Sequence, residues 1–205
     1  MTDDGRVNEG LRERKKRQTR QHIQSVAFRL FAENGYTNTT TDQIAQTAEI
    51  AIGTLFRYFP TKEDLVLYDY TDALAVEALK NQPASSEIYS ALSDNIRHLI
   101  DNLSPEEITL QETRYRLILS TPDIRSRWID DMYAHLPNLR TLVAGISGKA
   151  ENDEAVSIFA SAYIGVSVGI FLGFADNSSG SIEVYAHELS IALRSLSTLL
   201  TAEEE

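Results

Sequence analysis

The chain has no cysteine. That excludes disulfides, thiolate zinc sites and a cysteine nucleophile, and it fits a reducing cytoplasm, where the protein is expected to reside. Proline is scarce, five in 205 residues. The N-terminal stretch MTDDGRVNEGLRERKKRQTR lacks the apolar run of a signal peptide. There is no P-loop, no dinucleotide-binding glycine fingerprint and no nucleophile elbow. His22, His98, His135 and His187 fall in no metal motif such as H-E-x-x-H. No catalytic residue, no metal and no cofactor is therefore expected, and the chain does not read as an enzyme.

Positive charge is also in short supply, except at one end. The net charge is -11, yet residues 1–62 hold ten Lys and Arg against seven Asp and Glu. Residues 63–205 hold nine against 23. Arg12, Arg14, Lys15, Lys16, Arg17 and Arg20 crowd into nine positions. A basic end joined to a strongly acidic remainder suggests one part that faces nucleic acid and one that repels it. A solvated basic run on a disordered arm would look the same.

What is abundant is helical periodicity. Ile23, Val26, Ala27, Leu30 and Phe31 mark one face of a helix from about Lys16 to Asn34, with Gly35 just past its end. Thr39 to Thr41 offer caps for a short helix burying Ile44, Ala45 and Ala48. After a turn at Glu49 to Ala51, a third helix runs from Ile52 to Tyr58 with Leu55 and Phe59 inward, and Pro60 stops it. Thr61 and Asp64 form a capping-box-like start to a fourth. Further helices are expected near 62–81, 85–103, 105–120, 122–135, 138–147, 152–175 and 180–201. Pro83, Pro105, Pro122 and Pro137 punctuate them. No segment alternates with period two between hairpin turns, so the fold class is all-α.

Ala155 to Ala175 carry no charge and are long enough to cross a bilayer. Interspersed serines, an acidic N-terminal flank and the lack of a basic cluster beyond it favour a central helix of a soluble bundle, with no membrane partner. On it Gly165, Gly169 and Gly173 recur every four residues, a small-residue face that lets another backbone approach. With Leu189, Leu193 and Leu196 of the last helix, they are the expected dimer interface; packing within the chain is the alternative.

The segment AFRLFAENGYTNTTTDQIAQTAEIAIGTLFRYFPTKEDL, Ala27 to Leu65, resembles the DNA-binding domain of the TetR family of bacterial transcriptional regulators. The resemblance covers about the first third of the chain. It rests on F-x-x-x-G-Y, T-T-x-x-x-I-A, G-T-L-[FY]-R-Y-F and [ST]-K-E-x-L in order. It implies a homodimer in which each subunit has a helix-turn-helix head and a larger body for effector binding and dimerisation. The division expected is a flexible basic arm over 1–15, the head over 16–62 and the body over 63–205, with nine to ten helices.

The resemblance also implies roles. Thr40 and Thr41 touch phosphate, Gly53 permits close approach to bases, and Thr54 donates to a base or phosphate. Phe56 stands where tyrosine is usual and keeps apolar contact with a thymine methyl; Arg57 and Tyr58 adjoin it. Lys62 is the phosphate clamp, and Arg17 and Arg20 grip the backbone or minor groove. Such contacts position a protein without a charged reading helix. Two departures stand out in the turn, usually G-[VI]-S-[KRP]-G and here Glu49-Ile50-Ala51-Ile52-Gly53. Ala51 cannot cap the third helix, and Ile52 replaces a residue that often makes polar DNA contacts.

In the body, RYRLILSTPDIRSRW, Arg114 to Trp128, resembles a TetR subgroup with acyl-CoA-like ligands. Tyr115, Leu119, Trp128, Met132, Phe159, Tyr163, Phe171 and Phe174 are expected to line an apolar cavity, though each could equally be core. Arg116, with Arg125 and Arg127, could receive an anionic group, and His135 could donate to a ligand. The reading is a ligand-responsive regulator, a repressor, with double-stranded operator DNA, a small apolar or amphipathic effector and a second copy as partners. A lipid or acyl carrier and a membrane-tethered regulator are the alternatives.

Overall fold

A computed structural model describes residues 10–69, 88–174 and 181–201. Among them are ten helices and no strand, so the chain is all-α as expected. The chain divides between Tyr68 and Asp69 into two compact units.

The first unit holds α1 (Leu11–Asn34), α2 (Thr41–Thr47), α3 (Ile52–Tyr58) and α4 (Asp64–Leu67). Helix α1 starts at Leu11, earlier than the periodicity suggested, so Arg12, Arg14 and Lys15 of the expected arm are helical. The reason is local: LRERKKRQTR consists mostly of good helix formers, which need no buried face to be helical. Ile23, Val26, Ala27, Phe28 and Phe31 bury against Ile44, Ala45, Leu55, Phe59 and Leu65. Gly35 closes α1 with φ 82°, a backbone state few side chains tolerate. Thr40 and Gln43 complete a reciprocal capping box on α2. Thr61 and Asp64 exchange the equivalent bonds, at 2.8 and 3.2 Å.

Helix α4 is a correction. The fourth helix was expected to continue to 81, but it ends at Leu67, and Tyr68 is extended. Buried Gln24 explains the stop: its amide donates to the carbonyls of Leu65 and Tyr68, both at 2.9 Å, taking acceptors that a continuing helix would use. Residues 70–81 of that expected helix lie outside the described residues.

The second unit holds α5 (Ile88–Asp101), α6 (Pro105–Ser120), α7 (Pro122–Ala134), α8 (Leu136–Ser147), α9 (Glu154–Gly173) and α10 (Ile182–Thr201). Proline occupies the first turn of α6, α7 and α8, where its missing N–H costs nothing. Ser104 and Glu107 add a capping box to α6. Leu92, Val143, Ala144, Ile146, Val156, Phe159, Leu189 and Leu193 form one core shared by α5, α8, α9 and α10.

Candidate functional sites

Helix α3 is fastened from beneath and open above. Leu55 and Phe59 are fully buried. Gly53, Phe56 and Arg57 are exposed, and Thr54 and Tyr58 are half-buried. A side chain built on Gly53 would meet nothing within 4 Å. Glycine in a helix costs about 1 kcal/mol relative to alanine. Among the described residues none packs against this position. Thr40 is exposed; its hydroxyl oxygen accepts from the Gln43 amide at 3.2 Å and keeps its proton for another acceptor. Thr41 is half-buried one residue on.

Two expected phosphate contacts are placed differently. Lys62 Nζ donates to the Tyr36 carbonyl and stands 4.1 Å from the centre of the Tyr36 ring. Burial lowers its pKa from 10.5, against the raising effect of Glu63. Lys62 is therefore held against the head's own surface, with further ammonium donors left for a phosphate. Arg20 lies over the rings of Tyr58 (5.5 Å) and Tyr68 (4.9 Å), so it braces the end of α3 instead of projecting. Arg17 is half-buried on α1.

Of the two departures noted in the sequence, Ala51 lies in the turn and Ile52 opens α3. Glu49 adopts φ 55°, at the position where the family pattern has glycine. Ala51 is the N-cap of α3, with no side-chain cap hydrogen bond.

In the body, four of the expected effector residues meet and others do not. Phe171, 1% exposed, packs against Trp128 at 4.2 Å and Tyr115 at 5.0 Å between ring centres. Tyr185 of α10 joins Phe171 at 6.0 Å and Phe174 at 6.2 Å. Phe159 and Tyr163 stack on each other at 6.5 Å within or against the core of α5, α8, α9 and α10. Leu119 and Met132 are half-buried on α6 and α7.

Arg116 and His135 do not join the ring cluster. Both are exposed, and His135 Nδ1 lies 2.6 Å from the Asp131 carbonyl, closing α7. The inward arginine is Arg114, two residues earlier and 200° around the helix. It pairs with the Asp69 carboxylate, which also accepts from Gln111 Nε2 at 2.9 Å. Gln111, Arg114 and Ile118 are spaced i, i+3, i+7, and all three are buried. The apolar ring cluster and this buried polar cluster are both in the second unit.

The dimer residues also divide. Gly165, Gly169 and Gly173 are exposed, and a side chain at any of them would meet nothing within 4 Å. Ile158, Val184 and Ile191 are exposed as well, at 50%, 42% and 42%. Leu189 and Leu193, by contrast, are 2% and 0% exposed in the chain's own core, so they have no surface to offer a partner. Leu196 lies in α10 with its side chain outside the described ones. Helix α9 is long and apolar enough to cross a membrane, and 39% of its most apolar window is buried in the chain.

Comparison with known proteins follows this division. The model for bacterial regulatory proteins of the tetR family matches residues 23–68, and the model for the MftR C-terminal domain matches 86–201. The regulator TcmR of Streptomyces glaucescens is 29% identical over 71% of this chain and 67% of its own length. A Mycobacterium tuberculosis regulator named for mycofactocin biosynthesis, MftR, is 34% identical over 55% of this chain; the match spans only 58% of that relative. The structure of Thermus thermophilus FadR, a TetR-family repressor in complex with lauroyl-CoA, covers 85% of this chain and 91% of its own, with 25% identity and TM-score 0.50.

Proposed function

This chain belongs to the TetR family of bacterial regulatory proteins and is a transcriptional regulator, not an enzyme; from that premise we propose that it is a homodimeric repressor released from a palindromic operator by a small amphipathic effector. The observation that carries the DNA half of this reading is α3. Its buried side is locked by Leu55 and Phe59, and its outer side presents Gly53, Thr54, Phe56 and Arg57 around a glycine that no internal contact requires. Thr40, Thr41, Tyr58, Lys62 and Arg17 supply phosphate contacts. The dimer uses the uncovered face of α9 and α10: Gly165, Gly169, Gly173, Ile158, Val184 and Ile191. It sets two α3 helices about 34–36 Å apart, one turn of duplex. That face is covered by a second copy rather than by lipid, which keeps the regulator in the cytoplasm with its operator.

The effector half rests on the rings around Phe171. Tyr115, Trp128, Phe174 and Tyr185 meet there in one apolar cluster, which an acyl chain can part and replace. Arg125 and Arg127, half-buried on the same helix as Trp128, suit the anionic end of such a ligand. The lauroyl-CoA bound by the Thermus relative supports an acyl-CoA-like effector. Release needs only that the effector prefer a dimer whose reading helices no longer match the operator.

The test is selection of purified protein on a random duplex library at two salt concentrations. Enrichment of a palindrome with half-sites one turn apart supports the reading, and Arg57→Ala or Thr54→Ala then weakens binding. Retained affinity in both variants, or no enriched sequence, sinks it. The selected duplex becomes the probe for effector release, where lauroyl-CoA is added first and the Phe171→Ala variant is the control.

A further inference from the structure

Helix α3 exposes two large apolar side chains. Ile52 is 37% exposed and Phe56 is 43% exposed. They stand at i and i+4, on one face of the helix, and no described residue fills the space at Gly53 beside them. A protein partner is a poor match for so small a patch, because a specific protein interface buries about 1,000 Å² or more. The major groove of DNA does offer a fitting apolar target, the 5-methyl group of thymine, which is the one apolar group among the base edges.

We propose that Ile52 and Phe56 read two thymine methyl groups in each operator half-site, so that specificity at those positions is apolar rather than hydrogen-bonded. This rests on the proposed operator binding, in which Phe56 already has this role, and it adds Ile52 as a reading residue at a position where the family often makes a polar contact. The spacing sets the geometry. Four residues of helix rise about 6 Å. Successive bases along one strand lie about 3.4 Å apart. The two methyls therefore sit one or two base-pair steps from each other. Gly53, flanking the pair with no side chain, leaves room for both to reach the groove floor. Arg57 is the only charged residue in α3, which leaves the apolar pair as much of its reading surface.

The experiment uses the full chain and the duplex obtained by selection, remade with deoxyuridine at each thymine in turn. Uracil keeps every hydrogen-bonding group of thymine and lacks only the methyl. Two thymines in each half-site, one or two steps apart, are expected to lose about fourfold in affinity when demethylated, the value of one buried methyl-sized group. Ile52→Ala removes one of these penalties and Phe56→Ala the other. Arg57→Ala weakens binding to every duplex and leaves both penalties in place. Both apolar positions are exposed, so the alanine variants are expected to keep the parent melting temperature. Specific binding with no penalty at any uracil, or with penalties unchanged in both alanine variants, overturns the proposal and leaves the regulator reading intact. A selection that enriches no sequence overturns the regulator reading and this proposal together.

Discussion

Glu49 holds φ 55°, a left-handed backbone state that costs an L-residue about 1–2 kcal/mol and glycine almost nothing. Glycine gives part of that back through its freer unfolded chain. Glu49→Gly is therefore expected to stabilise the head by about 1 kcal/mol, read as a higher urea midpoint with unchanged slope. Two residues on, Ala51 leaves the first turn of α3 without a side-chain cap. Ala51→Ser is expected to add about 1 kcal/mol by accepting from an amide of that turn. No gain at position 51 would mean the serine oxygen cannot reach those amides in this turn. The missing cap was legible in the sequence, because capping depends on one residue's chemistry. The choice between Arg114 and Arg116 was not legible from the motif RYR, because two residues on a helix point to nearly opposite sides. Only the burial pattern of Gln111, Arg114 and Ile118 separates them. Likewise Lys62 and Arg20 have the expected charge at the expected positions, but nearby rings draw both onto the head's own surface.

Helix α6 carries one partner of a buried ion pair in the body. The Arg114 and Asp69 side chains are 8% and 4% exposed. Removing one partner of such a pair strands the other charge away from water, at a cost of about 3–5 kcal/mol. Arg114→Met is expected to destabilise the body by that amount in urea or thermal unfolding. The double variant Arg114→Met with Asp69→Leu is expected to recover most of the loss, because neither charge is then left inside. Equal losses in single and double variants would show that the cluster holds the body by shape, not charge. Element boundaries were legible where their causes are local. Prolines in the first turn opened α6, α7 and α8 close to the expected positions. They were not legible where tertiary contacts decide, as at α4, which ends where Gln24 of α1 reaches its carbonyls.

For the whole molecule, the informative surface is the one that no described residue covers. Gly165, Gly169 and Gly173 each cost α9 about 1 kcal/mol relative to alanine, and none is crowded by its own subunit. Packing inside the chain, the plain explanation for a glycine stripe, therefore does not account for them. Exposed Ile158, Val184 and Ile191 extend the apolar face across α9 and α10. A second copy seated there satisfies both observations, since close approach of two backbones needs glycine and the aliphatic rim then leaves water. Gly169→Leu separates intrachain from intersubunit causes because the two predict opposite signs. Within the subunit the leucine meets empty space and is the better helix former, so the isolated fold should gain up to about 1 kcal/mol. At a close subunit contact the same side chain holds the backbones apart. Sedimentation velocity is expected to show folded monomers, and operator affinity should fall towards the non-specific range, because half-sites no longer bind as a pair. If the variant remains a dimer with full operator affinity, the partner lies elsewhere and the glycines of α9 need another occupant.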